Sequence, residues 1–317
     1  MQTVALPNTD LQVSRFCFGA GALGTAVRND AADRLLASFM EAGGSFFDTA
    51  HCYAFWEPNG LGASERELAA SLRRIGAWER AVIATKGGHP DGGPDYRRPA
   101  DFLAEEVLHA DIEDSLDRLQ TDCIDLFYLH RDDGRTPAGE IIERLNREVR
   151  SGRVRWLGAS NWSTARMAEA NAYAAEKGLR GFVVSQVQWS LVPPEWTATE
   201  DPTVRTVTGE EVDWHSETGI PIAAYSATGG GFFSKPCPAS HSSNRALWEL
   251  VRDLSARIGC TPTQLALAWL LRQTPTVLPL FSTANPAHLT EILASETMHL
   301  DSQLLARLNR ARHEAAA

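Results

Sequence analysis

The sequence predicts an α/β fold: a (β/α)8 TIM barrel with an N-terminal β-hairpin and loop insertions on its active face. Short apolar runs alternate with amphipathic helical stretches along the chain, and eight such runs close a barrel rather than an open sheet. Three runs also end on a charged or titratable residue: Ser45-Phe46-Phe47 into Asp48, Ala81 to Thr85 into Lys86, and Ile124 to Leu129 into His130. In a parallel barrel the C-terminal strand ends open on one face, so these residues are expected to converge despite spacings of 38 and 44 positions.

In chain order, Val4 to Leu6 and Leu11 to Val13 flank Pro7-Asn8-Thr9-Asp10, a hairpin expected to plug the barrel floor. Phe16-Cys17-Phe18-Gly19 is the first barrel strand. Asp30 is expected to cap a helix with Leu35, Leu36, Phe39 and Met40 on one face, stopped by Gly43-Gly44. Ser64 with Glu67 reads as a capping box, and Thr261-Pro262-Thr263-Gln264 as another with proline at the first helical position. Leu103, Val107, Leu108, Ile112, Leu116 and Leu119 fall at helical spacing before the fourth strand. Further strands are expected at Val154 to Ala159, Phe182 to Val187, Pro221 to Tyr225 and Thr276 to Leu280. The interval between Gln186 and Pro221 breaks the rhythm and reads as a loop or short-helix insertion on the active face.

The 317 residues fit a single barrel domain spanning 1–317, and 44% hydrophobic content supplies a core. A net charge of −10 with no basic cluster argues against nucleic acid or an anionic membrane as a partner. No basic leader or membrane-length apolar run stands out, which points to a cytoplasmic protein. The five cysteines are scattered without a C-x-x-C pair, so neither a disulfide framework nor a metal site is expected. Cys52 reads as a buried, unreactive thiol.

The chemistry follows from residue types. A carbonyl that accepts hydride needs an acid for the developing alkoxide, and a tyrosine, with a pKa of about 10, is suited to this when a nearby cation lowers that value. Lys86 is the candidate cation, Asp48 the carboxylate that keeps it charged, Tyr53 the acid, and His130 a hydrogen-bond donor to the substrate oxygen. Alone, the Asp or Lys reads more readily as a solvated loop residue or half of a surface ion pair, and the His as structural; four compatible residues at four matching positions do not.

On these motifs the sequence resembles the aldo-keto reductase family. The matching stretches are Phe47-Asp48-Thr49-Ala50 with Tyr53, Ala84-Thr85-Lys86, Leu129-His130, Gly158-Ala159-Ser160-Asn161 and Ser185-Gln186-Val187-Gln188-Trp189. The resemblance implies NADPH or NADH as cofactor, Asp48, Tyr53, Lys86 and His130 as a catalytic tetrad, and Ser160, Asn161 and Gln186 on the nicotinamide carboxamide. It also implies that Tyr225 stacks on the nicotinamide ring. The following stretch, with Ser226, Thr228 and Gly229, can bring backbone amides to the pyrophosphate. After the last strand, family members that favour NADPH carry Lys or Arg, whereas residues 279–288 contain neither. Ser282, Thr283, Asn285 and His288 remain as hydrogen-bonding groups there, with Arg245 a distant candidate cation. The missing charge-assisted contact argues for NADH being used at least comparably.

Substrate choice is read from the loops. Phe55, Trp56, Trp162, Trp189 and Trp196 offer flat faces beside polar groups, and Arg131, Arg97 and Arg98 offer positive charge, a mixture that suits a small polyhydroxylated carbonyl or cyclic hemiacetal. Two rivals differ in class. One is a metal-dependent barrel hydrolase using His51, His89, His130 and Asp48, disfavoured by the lack of a His-x-His pair and by the charge of Lys86. The other is a regulator that senses the nicotinamide cofactor. Oligomeric state is not legible in the sequence.

Overall fold

A computed structural model describes residues 1–192, 201, 203–237 and 244–315. Two short antiparallel strands, β1 (Thr3–Ala5) and β2 (Gln12–Ser14), form the expected hairpin. Eight parallel strands then close the barrel: β3 (Cys17–Gly19), β4 (Phe46–Asp48), β5 (Val82–Gly87), β6 (Ile124–Leu129), β7 (Val154–Ser160), β8 (Phe182–Gln188), β9 (Ile222–Tyr225) and β10 (Val277–Phe281). Around them run α1 (Asp30–Glu41), α2 (Ala63–Arg74), α3 (Glu105–Leu119), α4 (Ala138–Arg150) and α5 (Thr164–Lys177). The second half adds α6 (Gly209–Thr218), α7 (Arg245–Ile258), α8 (Pro262–Leu271), α9 (Pro286–Ala294) and α10 (Ser302–Ala315). No helix among the described residues is long and apolar enough to cross a membrane.

The period of two along each strand sorts its residues between two cores. Phe47, Phe127 and Leu129 point outward into the layers under the helices. Phe46, Ala84, Leu126, Tyr128, Val184 and Leu278 belong to the barrel interior, together with Leu6, Leu11 and Val13 of the hairpin. The hairpin therefore closes the N-terminal end. Continuing the same parity upward brings Asp48, Lys86, His130 and Gln186 into the next interior layer. Gly158 makes room in that stack, because a Cβ there would lie 2.5 Å from the Tyr128 ring.

The ladders are unequal. Strands β6 and β7 pair from Ile124 opposite Val154 to Leu129 opposite Ala159. The closing pair, β10 with β3, registers only Leu280 on Cys17 and Phe281 on Phe18. Flanking contacts reinforce this seam: the Arg15 guanidinium donates to the Leu271 carbonyl at 3.0 Å, and the Gln2 amide to the Glu296 carboxylate at 2.7 Å.

Two helix starts differ from expectation. Asn29, not Asp30, occupies the cap of α1 and makes no side-chain cap bond; Asp30 lies in the first turn, where its charge faces the helix dipole. The Ser64–Glu67 capping box does not form, because α2 begins two residues earlier than a Ser64 cap requires, behind Gly62 in the left-handed region. The Ser64 hydroxyl lies instead 2.7 Å from the Ala20 carbonyl and 2.8 Å from the Thr49 hydroxyl, while Glu67 accepts from the Asn29 amide and from Arg74. Tertiary partners outcompete the local motif there. The Thr261–Gln264 box forms as expected. Within the long interval before β9, α6 begins with a further capping box, Thr208 with Glu211.

Candidate active site

Asp48 ends β4, Lys86 is the penultimate residue of β5, and His130 follows β6 directly, so three adjacent strands deliver the three groups to one end of the barrel. Tyr53 arrives on the turn after β4. The Lys86 Nζ donates to Asp48 Oδ1 at 2.6 Å, to the Thr49 carbonyl at 2.8 Å and meets the Tyr53 hydroxyl at 2.8 Å. All three donors of the ammonium thus end on oxygen. Gln186 Nε2 holds the other carboxylate oxygen of Asp48 at 2.7 Å. The four expected residues come together, with Asp48, Lys86 and His130 buried.

Burial is the largest influence on each group. It works against the charge of Lys86, but the Asp48 carboxylate and the Tyr53 hydroxyl outweigh it and leave the pKa raised, so the ammonium keeps its proton. An ion pair alone would lower Asp48, yet burial raises it against the pull of Lys86 and Gln186. Three converging oxygens hold the protons of the ammonium in place. For Tyr53 the net direction is upward, the reverse of the sequence-based expectation: Lys86 does pull toward acidity, but drying out the phenol pushes harder. The consequence is a phenol that holds its proton. His130 is driven well below its ordinary value by burial, with Arg131 and His89 adding to the effect, so its imidazole is neutral and carries one N–H.

Around the tetrad, Asn161 sits in the left-handed region at φ +60°, a conformation Asn tolerates. Its Oδ1 accepts from the Tyr225 hydroxyl at 2.8 Å and from the Arg205 amide at 3.1 Å, and its Nδ2 donates to the Ser160 hydroxyl at 3.0 Å. Ser160 lies opposite Gln186 in the β7–β8 ladder, so Ser160, Asn161, Gln186 and Tyr225 are neighbours. Ser226, with φ +53°, is a strained non-glycine position, of the kind that concentrates at ligand sites. Further out, a cleft of about 350 Å3 runs between the β9 and β10 exits, lined in part by Thr228, Gly230, Ser282, Thr283 and His288. Asn285 does not line it; its carboxamide caps α9 by accepting from the Ala287 amide at 2.9 Å. Gly229 is packed on Val192, where any Cβ would collide at 2.3 Å, so Gly230 supplies the open backbone instead. Two charged residues outside 279–288, Lys235 and Glu291, also line the cleft.

Not all expected pocket residues face the tetrad. Phe55 stacks on Tyr96 at 5.2 Å, and Trp56, 55% exposed, lies edge-on to Phe55 and 6.4 Å from the Tyr53 ring. His89 extends this wall, its ring 4.8 Å from that of His130. Trp162, by contrast, is buried against Phe182 in the layer under the helices, and Trp189 against Trp269. Trp189 continues the outward parity of Val187, whereas Trp162, two residues past the inward Ser160, is turned outward after the left-handed Asn161. Arg131 is tied to the Thr203 hydroxyl at 2.8 Å, the His130 carbonyl at 2.9 Å and Asp201 at 3.4 Å, leaving it a brace rather than a ready anion receptor. Arg98 is likewise committed to buried Asp111. Trp196 lies outside the described residues. A second cleft, between the hairpin and the β5 and β6 entrances, is on the opposite end of the barrel, and its charges Asp10, Arg155 and Asp125 pair with one another.

A closed barrel thus carries, at one end, a buried lysine–carboxylate pair beside a phenol. The profile of the Aldo/keto reductase family matches residues 15–313, and the chain belongs to that family. An uncharacterized oxidoreductase, YrpG, of Bacillus subtilis is 28% identical over 98% of this chain and 95% of its own length. A 6-dehydroglucose reductase of Novosphingobium aromaticivorans is 30% identical over 90% of the chain and 87% of its own. An aryl-alcohol dehydrogenase, GME11368, of Pestalotiopsis microspora is 26% identical over 94% and 78%.

Proposed function

We propose that this protein is an NAD(P)H-dependent reductase that converts an aldehyde or ketone to an alcohol, with Tyr53 as the general acid. The observation that carries the reading is the buried contact of Lys86 Nζ with both Asp48 Oδ1, at 2.6 Å, and the Tyr53 hydroxyl, at 2.8 Å. Bound cofactor would supply the hydride. The chain fits such a group: Ser160, Asn161 and Gln186 present carboxamide and hydroxyl partners, and a Cβ built on Gly230 meets nothing within 4 Å, so bare backbone faces the cleft.

In this reading the neutral His130 donates to the substrate oxygen and holds it near the phenol. Tyr53 gives up its proton as negative charge grows on that oxygen, and Lys86 stabilises the phenolate left behind. Asp48 keeps the lysine charged between turnovers. Protein burial around this triad excludes bulk water, which strengthens each interaction.

For the substrate we favour a small polyhydroxylated carbonyl or hemiacetal. Phe55 and Trp56 offer flat apolar faces and His89 a polar tip, and one relative is named for a glucose derivative, although another is named for aryl alcohols. For the cofactor, the carboxylate of Glu291 beside Ser282, Thr283 and His288 offsets Lys235 and supports NADH being accepted at least comparably with NADPH. The free thiols Cys17, Cys52, Cys123 and Cys260 suit a reducing compartment such as the cytoplasm.

The test is a panel of sugars and aldehydes followed at the nicotinamide absorbance. Tyr53→Phe should lower kcat by about 10^3-fold while cofactor affinity stays within about twofold. A variant that still reduces the best substrate at the wild-type rate removes Tyr53 from the acid role. Fluorescence titration decides the cofactor: NADPH binding about a hundredfold tighter than NADH would overturn the preference argued from the cleft.

A further inference from the structure

We propose that Cys52, His89 and His130 form a binding site for a thiophilic divalent cation, with Zn2+ as its best-matched probe, and that occupancy of this site shuts the active site. These residues lie 37 and 41 positions apart, with no metal-ligand spacing, and the set differs from the His51, His89, His130 and Asp48 group weighed from the sequence. Folding brings one ligand atom from each to within 4.8 Å of the others.

The geometry is close to that of a coordinated set. Cys52 Sγ lies 3.5 Å from His130 Nδ1. For Zn–S of about 2.3 Å and Zn–N of about 2.0 Å, a tetrahedral angle separates sulfur from nitrogen by about 3.5 Å, so this edge is already made. His89 Nδ1 lies 2.9 Å from the Pro90 carbonyl, which fixes its proton there and leaves the Nε2 lone pair free. A backbone carbonyl on the remote nitrogen is the usual support of a metal-bound histidine. Adjustment of side chains by about 1 Å closes the set. An S, N, N donor group favours Zn2+ or a softer ion over Mg2+ or Ca2+, which require oxygen.

Charge does not forbid the ion. Lys86 is neutralised by Asp48, Arg131 faces Asp201, and the carboxylates of Asp111 and Glu65 act on Cys52, although each has an arginine partner in Arg98 and Arg118. Binding breaks the S–H bond of Cys52, releases that proton to solvent and forms the metal–sulfur bond, with no change of oxidation state. Three protein ligands leave a fourth position for water.

The metal takes the Nδ1 side of His130 and leaves its Nε2–H in place, so the block comes from the shift of the ring, by about 1 Å, away from the substrate oxygen. It rests on the reading of His130 as the donor to substrate; the metal site itself does not. The full reduced chain, freed of metal, is titrated with Zn2+ against a chromophoric chelator. One equivalent should bind, and Cys52→Ala and His89→Ala should each weaken it at least about tenfold. Co2+ in place of Zn2+ should give a thiolate-to-cobalt charge-transfer band that Cys52→Ala abolishes. No uptake by the native chain, or unchanged uptake in both variants, overturns the site. Thermal unfolding checks each variant, and should Cys52→Ala not fold, half-buried His89 carries the test. Zn2+ should also inhibit turnover competitively with the carbonyl; binding without inhibition overturns the blocking role alone. A failure to find any carbonyl substrate would remove the reductase reading and leave the chelator titration decisive.

Discussion

The two ends of this barrel are built from the same strands and hold opposite contents. At the N-terminal end the interior layer is Phe46, Ala84, Leu126 and Leu278, sealed by hairpin residues Leu6, Leu11 and Val13. Two residues further along, the same parity delivers Asp48, Lys86 and Gln186, a layer of buried polar groups joined by hydrogen bonds of 2.6 and 2.7 Å. The first layer stabilises by removing apolar surface from water. The second opposes folding through desolvation and survives because every charge in it has a partner. Stability and chemistry are thus stacked along one axis, one pleat apart.

Substitutions should separate the layers. Lys86→Met leaves Asp48 buried without its cation, so kcat should fall at least about a hundredfold and unfolding free energy by about 3–5 kcal/mol. Steady-state kinetics and urea unfolding measure both; full activity would show that the ion pair is structural only. Leu11→Ala in the floor should cost about 2–5 kcal/mol by leaving a cavity, with kcat within about twofold. A large kinetic loss there would mean the layers are coupled.

The smallest effect concerns pH. His89 and His130 are both lowered from the ordinary 6.5 by burial, His89 to about 4. The unfolded chain therefore binds protons that the native molecule refuses. Their contribution is fully present above 6.5 and is lost as pH falls through the window toward about 4. Urea midpoints at neutral and mildly acidic pH should show the decline, and His89→Gln should flatten it. A midpoint equally pH-sensitive in that variant would assign the slope to other groups.

Much of the active layer was legible because a strand end is a local signal. An apolar run followed by Asp48, Lys86 or His130 specifies both parity and height in the barrel. What depends on loops was not. The turn after β5 passes through Gly88 at φ +68° and returns His89 to His130, a path no periodicity encodes. Trp162 and Trp189 were misplaced because aromatic content does not reveal which side of a strand exit a ring takes. The Ser64–Glu67 motif was genuine locally, but both side chains had better partners elsewhere in the fold. The direction of the Tyr53 shift depends on how dry the phenol is, a quantity set by its neighbours rather than by its charge partner alone.

The narrow join between β3 and β10 gives the ring a preferred place to part. Those strands come from opposite ends of the chain, so their pairing carries the largest loop-closure cost of any ladder in the molecule. The cleft with Ser282 and Thr283 begins where β10 ends. A dinucleotide lodged there would act as a clasp across the weakest link, so its binding would slow amide exchange in β3 and β10 by a larger factor than in β6 and β7.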